Sequence, residues 1–320
     1  MMSSLNIVTY NPERKQEWDY FVRKSKNGSF LFFRDYMDYH YDRFTDRSLM
    51  FYMDGELLGL LPANITENAD GKMVMYSHQG LTYGGLVMGN HSTLSKVCGM
   101  FESLRDFLKE NNISELAYKA VPHIYHKTPS EEDLYALHNV LNAQLMKREA
   151  ACSIDFTNRI PFRSCRFSTL KVAKRNGVEI VESDDYAAFW QILSATLHNK
   201  YNTTPVHSVG EIELLHSRFP DNIRLFTTMK DGEVLSGVVL YVTDTCVHTQ
   251  YVASSEKGNK YHCNELIIDY LLDVFKTKKY FDYGTSSENG GKSFNESLVF
   301  SKESYGCRTI AYDTYKLTIP

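Results

Sequence analysis

The same order of predicted elements runs through this 320-residue chain twice, and that repeat limits the folds open to it more than any other feature. In the first copy, residues 6–10 read as a strand and 12–25 as a helix with Trp18, Phe21 and Val22 on one side. Apolar runs at 49–53 and 57–65 flank Asp54-Gly55, a strong hairpin signal because both residue types tolerate positive φ. A strand at 73–77, a turn holding Gly80, Gly84, Gly85 and Gly89, a helix over 93–110 and a strand at 115–120 complete the copy. The long helix carries Leu94, Val97, Phe101, Leu104 and Leu108 at helical spacing. The second copy has a strand at 178–182, a helix over 184–197, and apolar runs 223–229 and 234–242 around Asp231-Gly232. A strand at 246–253, a loop at 254–260, a helix over 263–276 and a strand at 280–283 follow. Gly232 lies 177 positions after Gly55, Val178 lies 172 after Asn6, and Leu266 lies 169 after Val97. Offsets that drift so little indicate duplication with small loop changes.

The fold class expected is α+β / α/β: two tandem units, each a mixed, mostly antiparallel sheet flanked by helices. The units span 1–156 and 178–320, joined by a basic linker at 157–177 that carries Arg159, Arg163, Arg166, Lys171, Lys174 and Arg175. Residues 130–147, opened by Ser130-Glu131-Glu132-Asp133, read as a helix whose acidic start complements its dipole. The alternating stretch 308–319 reads as a last strand able to return to the first unit's sheet.

Composition excludes several classes of function. With 43% hydrophobic and 23% charged residues the chain is globular rather than disordered. A formal charge of −4 gives no global attraction to nucleic acid or anionic membrane. No basic leader precedes a long apolar stretch, and no apolar run approaches the ~18 residues a membrane span needs. A cytoplasmic location without membrane insertion is therefore expected. The six cysteines form no CxxC pair, which suits free thiols in a reducing compartment. The eleven histidines show no metal-ligand spacing, and His123 and His126 have no acidic or Cys partner at such spacing, so no metal is expected.

Several segments carry a family likeness. They are Phe281-Asp282-Tyr283-Gly284-Thr285-Ser286, then Lys292 to Leu298 with Asn295 inside it, then Phe300-Ser301-Lys302-Glu303-Ser304-Tyr305-Gly306, and Tyr312-Asp313-Thr314-Tyr315. Val121-Pro122-His123-Ile124-Tyr125 and the basic stretch 163–174 join them. With the repeated β-α-ββ-β-loop-α-β order, these segments resemble the tandem-GNAT acyltransferase group, which includes the Fem-type peptidoglycan-bridge aminoacyltransferases and their acyl-CoA-using relatives. The resemblance implies two tandem GNAT-like units, with the donor site in the second and a degenerate, structural first unit. The first copy's 80–89 stretch has no Lys or Arg to hold a phosphate.

The implied function is an N-acyltransferase that moves an acyl group from acyl-CoA, acetyl-CoA for example, to an amine-bearing small molecule or amino sugar. Cell-envelope or polysaccharide synthesis is the setting the family suggests. Two alternatives stand beside it: an aminoacyl-tRNA-dependent Fem-type transferase acting on a peptidoglycan precursor, and a non-catalytic GNAT-like binding protein. The absence of a long heptad arm speaks against the tRNA reading, and the basic linker reads as a solvated face rather than a tRNA site.

The loop Ser254, Ser255, Lys257, Gly258, Asn259 and Lys260 is the expected cofactor-binding segment, since N–H groups at a helix start bind phosphate. It has one glycine, whereas the family's acyl-CoA loops read Gln/Arg-x-x-Gly-x-Gly/Ala. His207 is the candidate general base, with Glu211 orienting it; equally, Ser208 and Glu211 form a capping box. Tyr251 is the candidate proton donor to a leaving thiolate. Lys302 either faces the substrate's phosphate or carboxylate or pairs with Glu303 at the surface. His198, Tyr201, Asp282, Ser286 and Asn295 are the candidate substrate-binding residues, the last three at or beyond a strand's carboxyl end.

Overall fold

The computed structural model describes residues 5–320, apart from the side chain of Tyr201. The chain forms two compact units. The first holds residues up to 149 with 289–292 and 311–320; the second holds 150–288 and 293–310. The segment 157–177 thus lies wholly in the second unit.

In the first unit the strands are β1 (Leu5–Thr9), β2 (Thr45–Asp46), β3 (Leu49–Met53), β4 (Glu56–Leu61), β5 (Asn64–Glu67), β6 (Met73–Tyr76), β7 (Val87–Met88) and β8 (Ile113–Lys119). Its helices are α1 (Lys15–Lys24), α2 (Arg34–Met37), α3 (Leu94–Glu110) and α4 (Glu132–Asn139). β9 (Gln144–Asp155) carries the chain into the second unit, which holds α5 (Ser164–Ala173), β10 (Glu179–Ser183), α6 (Tyr186–Tyr201) and α7 (Val209–Arg218). Then come β11 (Ile223–Lys230), β12 (Glu233–Val242), β13 (Cys246–Ser254), α8 (Glu256–Lys260), α9 (Cys263–Val274) and β14 (Tyr280–Thr285). A small hairpin of β15 (Ser287–Glu288) and β16 (Ser293–Phe294), α10 (Glu296–Glu303) and β17 (Arg308–Thr318) end the chain.

The duplication is visible in the backbone. Asp54 and Gly55 have φ of 51° and 84°, and Asp231 and Gly232 have 52° and 78°. Both turns are the left-handed two-residue kind whose twist matches that of the flanking strands. The same irregularity follows each turn. The β3–β4 register steps from Tyr52↔Leu57 to Phe51↔Gly59, and the β11–β12 register steps from Met229↔Val234 to Thr228↔Ser236. The skipped residues, Leu58 and Leu235, are 177 positions apart, the same offset as the two turn glycines.

The copies differ one step later. β12 runs unbroken through ten residues, but its counterpart stops at Leu61. Pro62 follows there, and proline has no N–H to give to a ladder. The expected single strand at 57–65 is therefore two strands: β4 pairs with β7, and β5 pairs with β6. The expected helix over 130–147 is also cut short. It ends at Asn139, Asn142 takes a left-handed φ of 51°, and the chain re-emerges as β9.

The first unit's strands are ordered β1-β3-β4-β7 and β17-β8-β6-β5-β2, with β6 and β8 parallel. β17 enters through register pairs such as Tyr315↔Tyr118 and Leu317↔Leu116. Leu49, Phe51, Met75, Phe101, Leu104 and Leu116 centre its core. The second unit's order is β10-β11-β12-β13-β14-β9. Helix α9 buries Ile267 and Leu271 against Phe226, Val238, Leu240 and Phe281. Each such side chain contributes about 1.5–3 kcal/mol on leaving water.

One buried polar knot holds the first unit. The Tyr118 hydroxyl donates to Asp133 Oδ2 at 2.6 Å and accepts from the Leu86 N–H at 2.6 Å. Burial pushes the Asp133 carboxyl up to about 6. Tyr118→Phe would take the Tyr118 donor from Asp133 Oδ2 and the acceptor from the buried Leu86 N–H, while Asp133 Oδ1 keeps the Leu134 N–H. A loss of about 1–3 kcal/mol is expected, read as a lower urea midpoint for the first unit's unfolding.

Candidate active site

The site lies in the second unit, where β13 and β14 part. These strands run parallel, and their register pairs are Cys246↔Tyr280, Val247↔Phe281 and His248↔Asp282. β13 continues to Ser254 and β14 to Thr285, but no pair joins them beyond Asp282. The opening is reinforced on both sides. Against β12, the register of β13 steps from Leu240↔Thr249 to Val239↔Tyr251, so Gln250 is a bulge residue. In β14, Gly284 turns at φ 69°, and a side chain there would press on the His248 ring at 3.0 Å.

At the base of the opening, His248 Nδ1 and Asp282 Oδ2 are 2.7 Å apart. Asp282 is 0% exposed, and its Oδ1 accepts the Gly284 N–H at 3.0 Å. Asp282 was expected to bind substrate; both its oxygens are instead engaged with the protein. Below the β14 end, the Lys302 ammonium donates to the Gly284 and Thr285 carbonyls at 2.9 and 2.8 Å. Lys302 is only 9% exposed, and burial lowers its pKa. The surface pairing with Glu303 does not form, because Glu303 lies against Arg163 at 3.5 Å.

On the β13 side, Tyr251 Oη and His207 Nδ1 are 2.6 Å apart, and Oη also accepts the His207 N–H at 3.3 Å. Trp190 Nε1 donates to the His207 carbonyl at 3.0 Å. Burial raises the Tyr251 pKa, so its hydroxyl keeps its proton. Ser208 and Glu211 complete a capping box on α7, which fixes the His207 backbone. Glu211 is placed as the cap of α7, its carboxylate accepting the Ser208 N–H at 2.7 Å.

The segment 254–260 is largely the short helix α8. Ser255 caps it, its Oγ accepting the Gly258 N–H at 3.0 Å, and the Ser255 N–H donates to the Leu235 carbonyl at 2.8 Å. Gly258 is pressed onto that carbonyl: a Cβ would lie 2.3 Å from the Leu235 oxygen. The lone glycine therefore serves close packing of α8 on the bulge residue of β12. The first-turn N–H groups of Glu256 and Lys257 have no intrahelical acceptor. The Lys257 ammonium pairs with Glu233.

The remaining expected residues scatter. Ser286 is buried with its Oγ unpartnered, and Gln250 Oε1 is likewise buried and unpartnered. Asn295 is spent on capping α10, its Oδ1 accepting the Leu298 N–H at 2.9 Å. His198 is exposed near the end of α6, and the Tyr201 side chain lies outside the described residues. His248 was not among the expected site residues; its only signal was alternation with Gln250 on a strand. Among the described residues, no group of three His, Cys, Asp or Glu side chains is placed to hold a metal ion.

The first unit treats the matching place differently. Past the parallel pair Tyr76↔Ala117, the Ser77 N–H donates to the Ala117 carbonyl at 2.9 Å and Ser77 Oγ accepts the Lys119 N–H at 2.7 Å. The Gly84 N–H then donates to the Lys119 carbonyl at 3.2 Å, and a Cβ on Gly84 would lie 1.7 Å from the Ser77 carbonyl oxygen. The chain's own loop fills the opening. Lys119, its ammonium on the Leu81 carbonyl at 2.7 Å, is pushed down to about 8 by burial.

Comparison with known proteins agrees with this fold. Residues 166–290 match the family described as the acetyltransferase (GNAT) domain. No curated protein matches the chain in sequence. Among solved structures, that of FemX is similar over 98% of this chain and 97% of its own, with a TM-score of 0.73 at 13% identity. L-PGS from Bacillus licheniformis is similar over 96% and 91%, at 0.59 and 13% identity. A tandem GNAT protein from the clavulanic acid biosynthesis pathway is similar over 99% of each chain, at 0.51 and 10% identity. The chain has the tandem-GNAT fold, and residues 166–290, nearly all in its second unit, match the GNAT acetyltransferase domain.

Proposed function

From a tandem-GNAT fold whose second unit matches an acetyltransferase domain, we propose that this protein is an N-acyltransferase that uses an acyl-CoA donor and an amine acceptor, a small molecule or amino sugar. The observation that carries the reading is the parting of β13 and β14 after His248↔Asp282. It leaves an opening beside a helix start, where a thioester can lie with its carbonyl between the strands and its phosphates near α8. Because the donor is already activated, the protein has to align the amine, stabilise the developing oxyanion and protonate the leaving thiolate. The Glu256 and Lys257 N–H groups and Lys260 would face the pyrophosphate. Ser286 Oγ and Gln250 Oε1, buried without partners, are suited to polar groups of the bound substrates. Tyr251 would protonate the thiolate, with His207 holding its hydroxyl in place. The first unit, its opening filled from within, is structural under this reading.

Thermal unfolding with and without acetyl-CoA tests the donor. Ligand at about 100 times its Kd adds about 2.7 kcal/mol of stability. An upward shift in Tm is expected with acetyl-CoA and with CoA. No shift at millimolar ligand overturns the acyl-CoA donor.

A further inference from the structure

The opening lacks an assigned base for the acceptor amine. A primary amine arrives largely as ammonium and must lose two protons to become an amide nitrogen. His207, the expected base, has Nδ1 committed to Tyr251. Lys302 has its ammonium committed to two carbonyls. The carboxylate nearest the point where the strands part, Asp282, is wholly buried and held by His248 and the Gly284 N–H.

We propose that His248 is the general base of this site, with Asp282 as its positioning residue; the inference rests on the acyl-CoA reading above. Three observations carry it. The pair sits at the last register position before the strands part, so the imidazole stands at the floor of the opening. Nδ1 faces a buried carboxylate oxygen at 2.7 Å; that contact requires the proton on Nδ1 and leaves Nε2 as the acceptor. Nε2 has no hydrogen-bond partner among the described residues, and the side chain keeps 10% of its surface exposed. Around the ring, Gly284, at φ 69°, closes from one side so that a Cβ there would lie 3.0 Å from the imidazole, and Lys302 donates to the Gly284 carbonyl at 2.9 Å. The imidazole is therefore locked in rotation and tautomer, with one nitrogen facing protein and the other available.

The step balances. His248 Nε2 takes the first proton from the bound ammonium and passes it to solvent; the amine lone pair then attacks the thioester carbonyl as the second nitrogen proton passes to Nε2. The C–N bond forms, the C–S bond breaks, and the thiolate takes the Tyr251 hydroxyl proton. Solvent then takes the proton from His248 and restores that of Tyr251.

The test uses the full chain, acetyl-CoA and D-glucosamine, with H248Q and D282N beside wild type. For H248Q, kcat is expected to fall at least 100-fold, with the KM for acetyl-CoA within about two-fold and the acetyl-CoA-induced Tm shift retained. Its residual kcat/KM should follow the free-base fraction of the glucosamine amine as pH rises, because no protein group then removes the proton. D282N should lose less, about ten-fold, by loosening the imidazole without removing it. If D282N misfolds, D282E, which keeps the charge and displaces it, serves in its place with the same expectation. H248Q with kcat within a few-fold of wild type overturns the inference. A loss in H248Q with an unchanged pH profile also overturns it, because that pattern marks a structural role. Wild-type protein that acetylates neither glucosamine nor a panel of other primary amines overturns the acyl-CoA reading itself, and the inference with it.

Discussion

Lys302→Met is expected to cost the second unit about 2–4 kcal/mol and to reduce acyl transfer by well over ten-fold. The wild-type ammonium is buried and donates to the Gly284 and Thr285 carbonyls at 2.9 and 2.8 Å. A methionine of similar length fills the space and leaves both carbonyls without their donor, and an unsatisfied buried group costs about 1–3 kcal/mol. The stability loss should appear as a lower urea midpoint for the second unit. The activity loss has a separate cause: released carbonyls let Gly284 move, and Gly284 sets the His248 ring. An unchanged midpoint would show that the two bonds contribute nothing net. An unchanged kcat would show that the β14 end does not shape the site. Lys302→Arg should recover little, since a planar guanidinium does not match two successive carbonyls under a turn.

Gly258→Val is expected to abolish the acetyl-CoA-induced Tm shift while leaving most of the sheet intact. A Cβ at 258 would meet the Leu235 carbonyl oxygen at 2.3 Å, a contact that backbone cannot relieve by rotating a side chain. α8 must then move off β12, breaking the Ser255 N–H bond to the same carbonyl, 2.8 Å in the wild type. The N–H groups of Glu256 and Lys257 move with it. Overpacking of this kind costs about 1–3 kcal/mol. Calorimetric titration with CoA distinguishes the outcomes. Loss of binding with a folded sheet supports phosphate recognition at α8; retained binding would place the donor elsewhere.

The sequence carried the architecture because turn chemistry is local. Asp-Gly at 54 and at 231 dictates a two-residue left-handed turn without help from the rest of the chain, and Ser208 with Glu211 dictates a cap in the same way. Errors arose where a local pattern continued past a local stop. The apolar run across Pro62 read as one strand, and the run beyond Asn139 read as more helix although Asn142 turns the chain. The site was legible in pieces. His207 and Tyr251 were both singled out, and they do meet. Asn295 and Gly258 were read as ligand contacts, while the structure spends them on a cap and a close packing. The His248–Asp282 contact spans 34 positions and depends on the parallel register of two strands, which no periodicity specifies.

The placement of β17 has a consequence for how the chain is made. Residues 311–320 belong to the first unit, yet they follow the whole of the second. The partner strand β8, with Leu116 and Tyr118, is synthesised almost 200 residues earlier than Tyr315 and Leu317. At about 5–20 residues per second, that strand waits on the order of ten seconds or more with an open edge. The first half to be translated is thus the last to be finished, and its exposed ladder must be kept from foreign strands until the second half has emerged.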